Sequence, residues 1–193
     1  MAQTGGDNLA KALRGFDATR DQDEPQVNVV AHSYGTTTAA FAMSQADVAV
    51  DNLVLVGSAG LPDHIEQADL LNADNVYVGH ARDVYPYIDS GSGDQWAWLG
   101  RDFSFGHSIN PMEEDFAAVT FGTDSEATGA GDPVTTHSSL DDGEIGYYHE
   151  RSEALRNIGY ILRGETEKIS DHVDKGPTMF QRSLLGPGMY YVP

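Results

Sequence analysis

Apolar residues along the chain fall into short blocks whose spacing switches between helical and strand periods. Leu9, Leu13 and Phe16 follow helical spacing, and the polar run Asp17 to Gln26, with Pro25, closes that helix. Val27 to Ala31 is a short β-branched run that reads as a buried strand. Gly35 to Ala46, rich in Ala and Thr, predicts a helix whose small side chains allow close packing on a sheet. Leu53 to Val56 predicts a second strand ended by the turn Gly57 to Gly60, Ile65 to Leu71 a further helix, and Val76 to Val78 a third strand. This βαβαβ order predicts an α/β fold with a mostly parallel, twisted sheet flanked by helices.

The second half is less regular. Asp83 to Pro111 carries glycines at 91, 93, 100 and 106 among Trp96, Trp98, Phe103 and Phe105, and reads as an ordered excursion over the sheet. Those aromatics can line an acyl pocket or simply pack their own loop. A fourth strand is expected at Phe116 to Phe121, then a loop from Gly122 to Thr136. Ala154, Leu155, Ile158, Ile161 and Leu162 form an amphipathic helix stopped by Arg163 and Gly164. Periodicity fades after Ser170, so residues 1–169 are expected to form the domain and 170–193 a tail.

Composition narrows the chemistry. Thirty Asp and Glu against 11 Lys and Arg give a formal charge of −19, which repels phosphate backbones and anionic lipid, so neither nucleic acid nor a membrane surface is an expected partner. The absence of cysteine excludes disulfides, thiolate metal sites and Cys nucleophiles. No stretch approaches the roughly 20 apolar residues of a membrane span, and Met1 to Asp7 lacks the pattern of a signal peptide, which leaves the compartment open. Gly57 to Gly60 lacks the lysine and spacing of a phosphate loop and reads as a strand-end turn, and Asp141 to Glu144 lacks the alternating ligands of a calcium loop and reads as a solvated turn; the serine chemistry considered next needs no metal or organic cofactor.

Ala31-His32-Ser33-Tyr34-Gly35 sits between the first strand and its helix, a variant of the G-x-S-x-G turn that lifts a serine above a strand end. Small residues two before and two after Ser33 suit the sharpness of that turn. Ser33 is the expected nucleophile and the Tyr34 N–H the expected oxyanion donor at the helix N-terminus; an ordinary N-cap serine is the plainer reading. In strand order the orienting acid follows a later strand and the histidine comes last. Asp83 is the expected acid, with Asp89 in reserve. His137 and His149 both lie between the fourth strand and the amphipathic helix; His137 is preferred as base and His149 is the alternative. His32 is expected to point away from the serine, and His107 to belong to a lid or substrate contact.

The runs A-H-S-Y-G-T-T-T, L-V-L-V-G-S-A-G, V-Y-V-G-H-A-R-D-V, H-S-S and S-E-A-L-R-N-I-G-Y-I-L-R-G resemble an actinobacterial α/β-hydrolase family of uncharacterised serine hydrolases. There the corresponding stretches read approximately G-H-S-Y-G-S, V-x-L-V-G-S-P-G, V-Y-V-x-x-x-x-D, H-S-x-Y and S-L-x-N-I. The resemblance spans about Leu9 to Gly164 and implies Ser33, Asp83 and His137 as a triad acting on an ester or lipid-like small molecule. It departs at Ala31, Ala59 and Leu140, and Tyr148 restores the last tyrosine if Asp141 to Glu144 is an insertion. The family begins with several strands before the nucleophile strand, including a loop that completes the oxyanion hole. On that comparison the chain is expected to be N-terminally truncated: either a second copy or a partner chain covers the exposed edge, or the chain is a C-terminal portion of a larger protein, or the fold is a reduced one. The competing expectation is an inactive hydrolase-like module in a larger assembly.

Overall fold

The computed structural model describes residues 1–19, 26–45, 47–81, 106–124, 129–140 and 144–173. Among these, four strands form one sheet in the order β1 (Asn28–His32), β2 (Val50–Val56), β3 (Ala73–Gly79) and β4 (Val119–Phe121). All three pairings are parallel. Helices α1 (Ala2–Asp17) and α2 (Tyr34–Met43) precede and follow β1, and α3 (Glu153–Leu162) comes last.

Strand alternation sorts the core into two layers. Leu53, Leu55, Val76 and Val78 join Ala39, Ala40, Met43 and Ala10 on one face. Val54, Val56, Tyr77 and Phe121 join Ala154, Ile158 and Ile161 of α3 on the other. Both faces of the parallel sheet are therefore covered, which explains why Leu53 to Val56 of β2 reads as a continuous apolar run. At the amino ends of the strands an asparagine ladder fixes the register. Asn52 donates to Asn28 Oδ1 at 2.6 Å and accepts from Asn75 Nδ2 at 3.2 Å, and these three residues are partners across the sheet.

Several elements differ from the sequence expectation. Helix α1 begins at Ala2 rather than near Leu9, and its buried positions are Ala2, Gly6 and Ala10, while Phe16 is exposed. The small stripe is used because α2 lies so close that a Cβ on Gly6 would come within 2.5 Å of Phe41 Cβ. The helix expected over Ile65 to Leu71 is a single 3-10 turn, Ala68–Leu70. Ile65 and Leu71 there, with Leu61 before them, still reach the core. Asn72 closes this connection by donating its side-chain amide to the carbonyls of Met43 (2.8 Å) and Gln45 (2.9 Å) at the end of α2. The fourth strand is shorter than expected, because Phe116 belongs to a 3-10 turn and Ala117 follows it with a left-handed φ of 60°.

The segment after α3 is knitted into the domain as far as it is described. Ser170 accepts the Gly122 N–H at 2.8 Å through its carbonyl, and its hydroxyl donates to the buried Glu153 at 2.6 Å. The rest of the expected tail, 174–193, lies outside the described residues. No helix among the described residues is long and apolar enough to cross a membrane.

Candidate active site

The carboxyl ends of the strands bring the chemistry-bearing residues together, as open parallel sheets generally do. His32, Val56, Gly79 and Phe121 are register partners along that edge, and Ser33 is the first residue beyond β1. Ser33 has φ 56° and ψ −131°, a left-handed φ that a non-glycine residue rarely holds. Its N–H donates to Val56 O at 3.0 Å, and its carbonyl accepts both the N–H (3.0 Å) and the hydroxyl (2.7 Å) of Thr36.

A donor chain supports that turn from beneath. Thr36 spends its proton on Ser33, so Ser58, 2.8 Å away, donates to Thr36 Oγ1 and accepts the Gly60 N–H at 3.2 Å. Thr37 adds a bond from its hydroxyl to Gly60 O at 2.6 Å. Thr36, Thr37 and Ser58 are buried, so the strained residue is fixed by satisfied polar groups in a dry environment. Gly57 to Gly60 is thus a turn that braces the Ser33 turn. Of the small residues expected around Ser33, Ala31 is buried in the core, whereas a Cβ on Gly35 would meet nothing within 4 Å. Crowding among the described residues does not demand glycine at 35.

His137 Nε2 lies 2.6 Å from Ser33 Oγ. The two residues are 104 positions apart, so this contact is wholly a product of the fold. The loop that carries His137 is closed by four bonds: Thr135 N–H to Ile145 O (2.8 Å), Ile145 N–H to Thr135 Oγ1 (3.1 Å), Tyr147 N–H to Ser138 O (3.0 Å) and Tyr148 N–H to Ser139 O (2.8 Å). Gly146 permits this closure, because a Cβ there would lie 2.5 Å from Ser138 O.

His149, the alternative base, is placed elsewhere. Its Nδ1 accepts the Arg151 N–H at 3.2 Å in the turn that leads into α3. The His32 ring, expected to point away from Ser33, packs against that of His137, with centroids 4.9 Å apart. His107 meets the exposed Tyr34 ring edge-on at 5.7 Å, while its Nδ1 lies 3.2 Å from Ala59 O. Asp63 anchors the His107 segment by accepting the N–H (2.7 Å) and hydroxyl (2.9 Å) of Ser108. Those bonds hold the Asp63 carboxyl below its ordinary value. Burial pushes the Tyr148 phenol, beside His32, upward.

The expected acid, Asp83, its reserve Asp89, the aromatics from Trp96 to Phe105 and most of the Asp141 to Glu144 turn lie outside the described residues. The segment that leads to Asp83 is described as far as Ala81, whose N–H donates to Tyr147 Oη at 2.8 Å. Among the described residues no group of three or more His, Asp or Glu side chains is arranged to hold a metal ion.

Residues 1–87 match the model of a family described as alpha/beta hydrolase. The matched stretch contains the Ser33 turn and the first three strands, and the fold is α/β-hydrolase-like, a parallel sheet with helices on both faces. Two proteins of Mycobacterium tuberculosis, from strains CDC 1551/Oshkosh and H37Rv, both named as uncharacterised, are each 29% identical over 88% of this chain. The chain spans 26% of the length of these relatives. No solved structure matches.

Proposed function

We propose that the protein is a serine hydrolase acting on a neutral ester or related acyl compound, with Ser33 as nucleophile and His137 as general base. The observation that carries this reading is the 2.6 Å approach of His137 Nε2 to Ser33 Oγ above a left-handed Ser33. For Nε2 to accept the serine proton, His137 must hold its own proton on Nδ1, and Asp83 is the carboxylate proposed to receive that N–H. Ser33 Oγ attacks the acyl carbon while its proton passes to His137. The Tyr34 N–H, at the start of α2, donates to the oxyanion that forms, aided by the helix dipole. His137 then returns the proton to the departing alcohol, and water repeats the sequence on the acyl-enzyme.

The net charge of −19 favours neutral over anionic substrates. Tyr34, 45% exposed, and His107 together form an aromatic wall beside the nucleophile, in keeping with an apolar acyl or alcohol group. Hydrolysis of short p-nitrophenyl esters tests the reading: turnover that disappears in a folded Ser33→Ala protein supports it, and turnover unchanged by that substitution refutes it.

A second reading, a hydrolase-like module within a larger assembly, draws on the edge of β1, which among the described residues has a strand on one side only. It predicts a stable complex and no esterase activity.

A further inference from the structure

His32 has no role in the acyl chemistry, yet its side chain is committed to the base. Its Nε2 lies 2.7 Å from the backbone oxygen of His137. A carbonyl only accepts, so His32 donates, and its proton is on Nε2. The ring is held by three neighbours, with centroids 4.9 Å from His137, 5.4 Å from Tyr147 and 5.9 Å from Tyr148. Tyr147 is fully buried, and its hydroxyl takes the Ala81 N–H at 2.8 Å. Thus His32 and Tyr147 together touch the end of β1, the loop of His137 and the segment leaving β3.

We propose that His32 is a positioning residue for His137. Resting on the reading of Ser33 and His137 as nucleophile and base, the inference adds how their separation is set. The bonded carbonyl belongs to His137 itself, so fixing it fixes the root of the side chain that must reach Ser33. His32 is the last residue of β1 and adjoins Ser33, so the base is located from the same rigid strand end that carries the nucleophile. The four bonds that close the loop set its shape; the His32 bond sets where that shape sits. A displacement of about 1 Å in a reacting group can cost about 100-fold in rate.

The test compares His32→Leu, which removes the donor, with His32→Gln, which supplies an amide N–H of similar reach, using p-nitrophenyl acetate turnover and the NMR resonance of the His137 imidazole. The expected result is a kcat about 10-fold to 100-fold lower in His32→Leu, with KM within about twofold, and recovery to within about fivefold in His32→Gln. The His137 resonance moves in the first variant and returns in the second. Should His32→Leu not fold, His32→Gln still decides, since near-native turnover and resonance uphold the assignment and a displaced resonance overturns it. Wild-type kcat and resonance in a folded His32→Leu protein, or equal impairment of both variants, also overturn it. If the wild-type protein turns over no ester, the hydrolase reading fails separately. The His137 resonance then judges the positioning bond alone: movement in His32→Leu reversed in His32→Gln upholds it, and no movement overturns it.

Discussion

The Ser33 turn and the His137 loop meet where His137 Nε2 lies 2.6 Å from Ser33 Oγ, but they are held in opposite ways. Ser33 is fixed by its own strand and helix and by Thr36, Ser58 and Gly60, which lie within 27 positions of it. His137 sits on an irregular loop whose shape depends on Gly146, Tyr147 and Tyr148, and whose place depends on His32, 105 positions away. The first is a local device with a polar foundation. The second is assembled only when the whole sheet edge exists, so it is the more fragile half of the pair.

Substitutions at the two ends test that contrast. Replacing His137 with Ala is expected to lower ester turnover about ten-thousand-fold, whereas His149→Ala stays within about twofold of wild type. Equal losses would mean that the base had been assigned to the wrong side of the loop. In the middle of the range, Gly146→Ala forces a Cβ toward Ser138 O and is expected to cost about 1–3 kcal/mol of stability while lowering kcat about tenfold. Denaturant unfolding and steady-state kinetics on the same sample separate the two effects. Thr36→Val removes the hydroxyl that donates to Ser33 O and that accepts from Ser58. It is expected to cost about 1–3 kcal/mol with a smaller change in kcat than Gly146→Ala, and a reversed order would contradict the comparison.

The smallest effect concerns the segment that holds His107. The Asp63 carboxyl is held below its ordinary value of 3.8, chiefly by the Ser108 N–H. A depressed acid of this kind stabilises the folded form fully above 3.8 and loses that contribution as pH falls through the lower folded value. The Ser108 amide resonance should therefore titrate below 3.8, and Ser108→Ala should move the midpoint upward toward 3.8. A midpoint unchanged by that substitution would remove the Ser108 hydroxyl as a contributor and leave the Ser108 N–H, which alanine keeps, as the cause.

What was legible in the residues follows the same division. The strands were readable because both faces of the sheet are covered, which turns Leu53 to Val56 into an unbroken apolar run, and the Ser33 turn was readable because its determinants are consecutive. Helix α1 was read only in part, since its buried stripe is made of Ala2, Gly6 and Ala10, which carry almost no hydrophobic signal. Ile65 to Leu71 predicts a helix where the structure has only a 3-10 turn at Ala68, because Ile65 and Leu71, six positions apart, reach the core without sharing a helical face. Spacing favours His137 but leaves His149 open, as both lie on the same stretch, and it is tertiary closure through Gly146 that brings His137 to Ser33. His32 gave no signal at all, because its partner is a backbone carbonyl.

The central claim is that Ser33 is a nucleophile activated by His137, and covalent labelling with a fluorophosphonate probe followed by peptide mapping tests it most directly. The account predicts one adduct, on Ser33, absent from Ser33→Ala and formed at least about 100-fold more slowly in His137→Ala. No adduct on the folded wild-type protein, an adduct on another residue, or a labelling rate indifferent to His137 would contradict it.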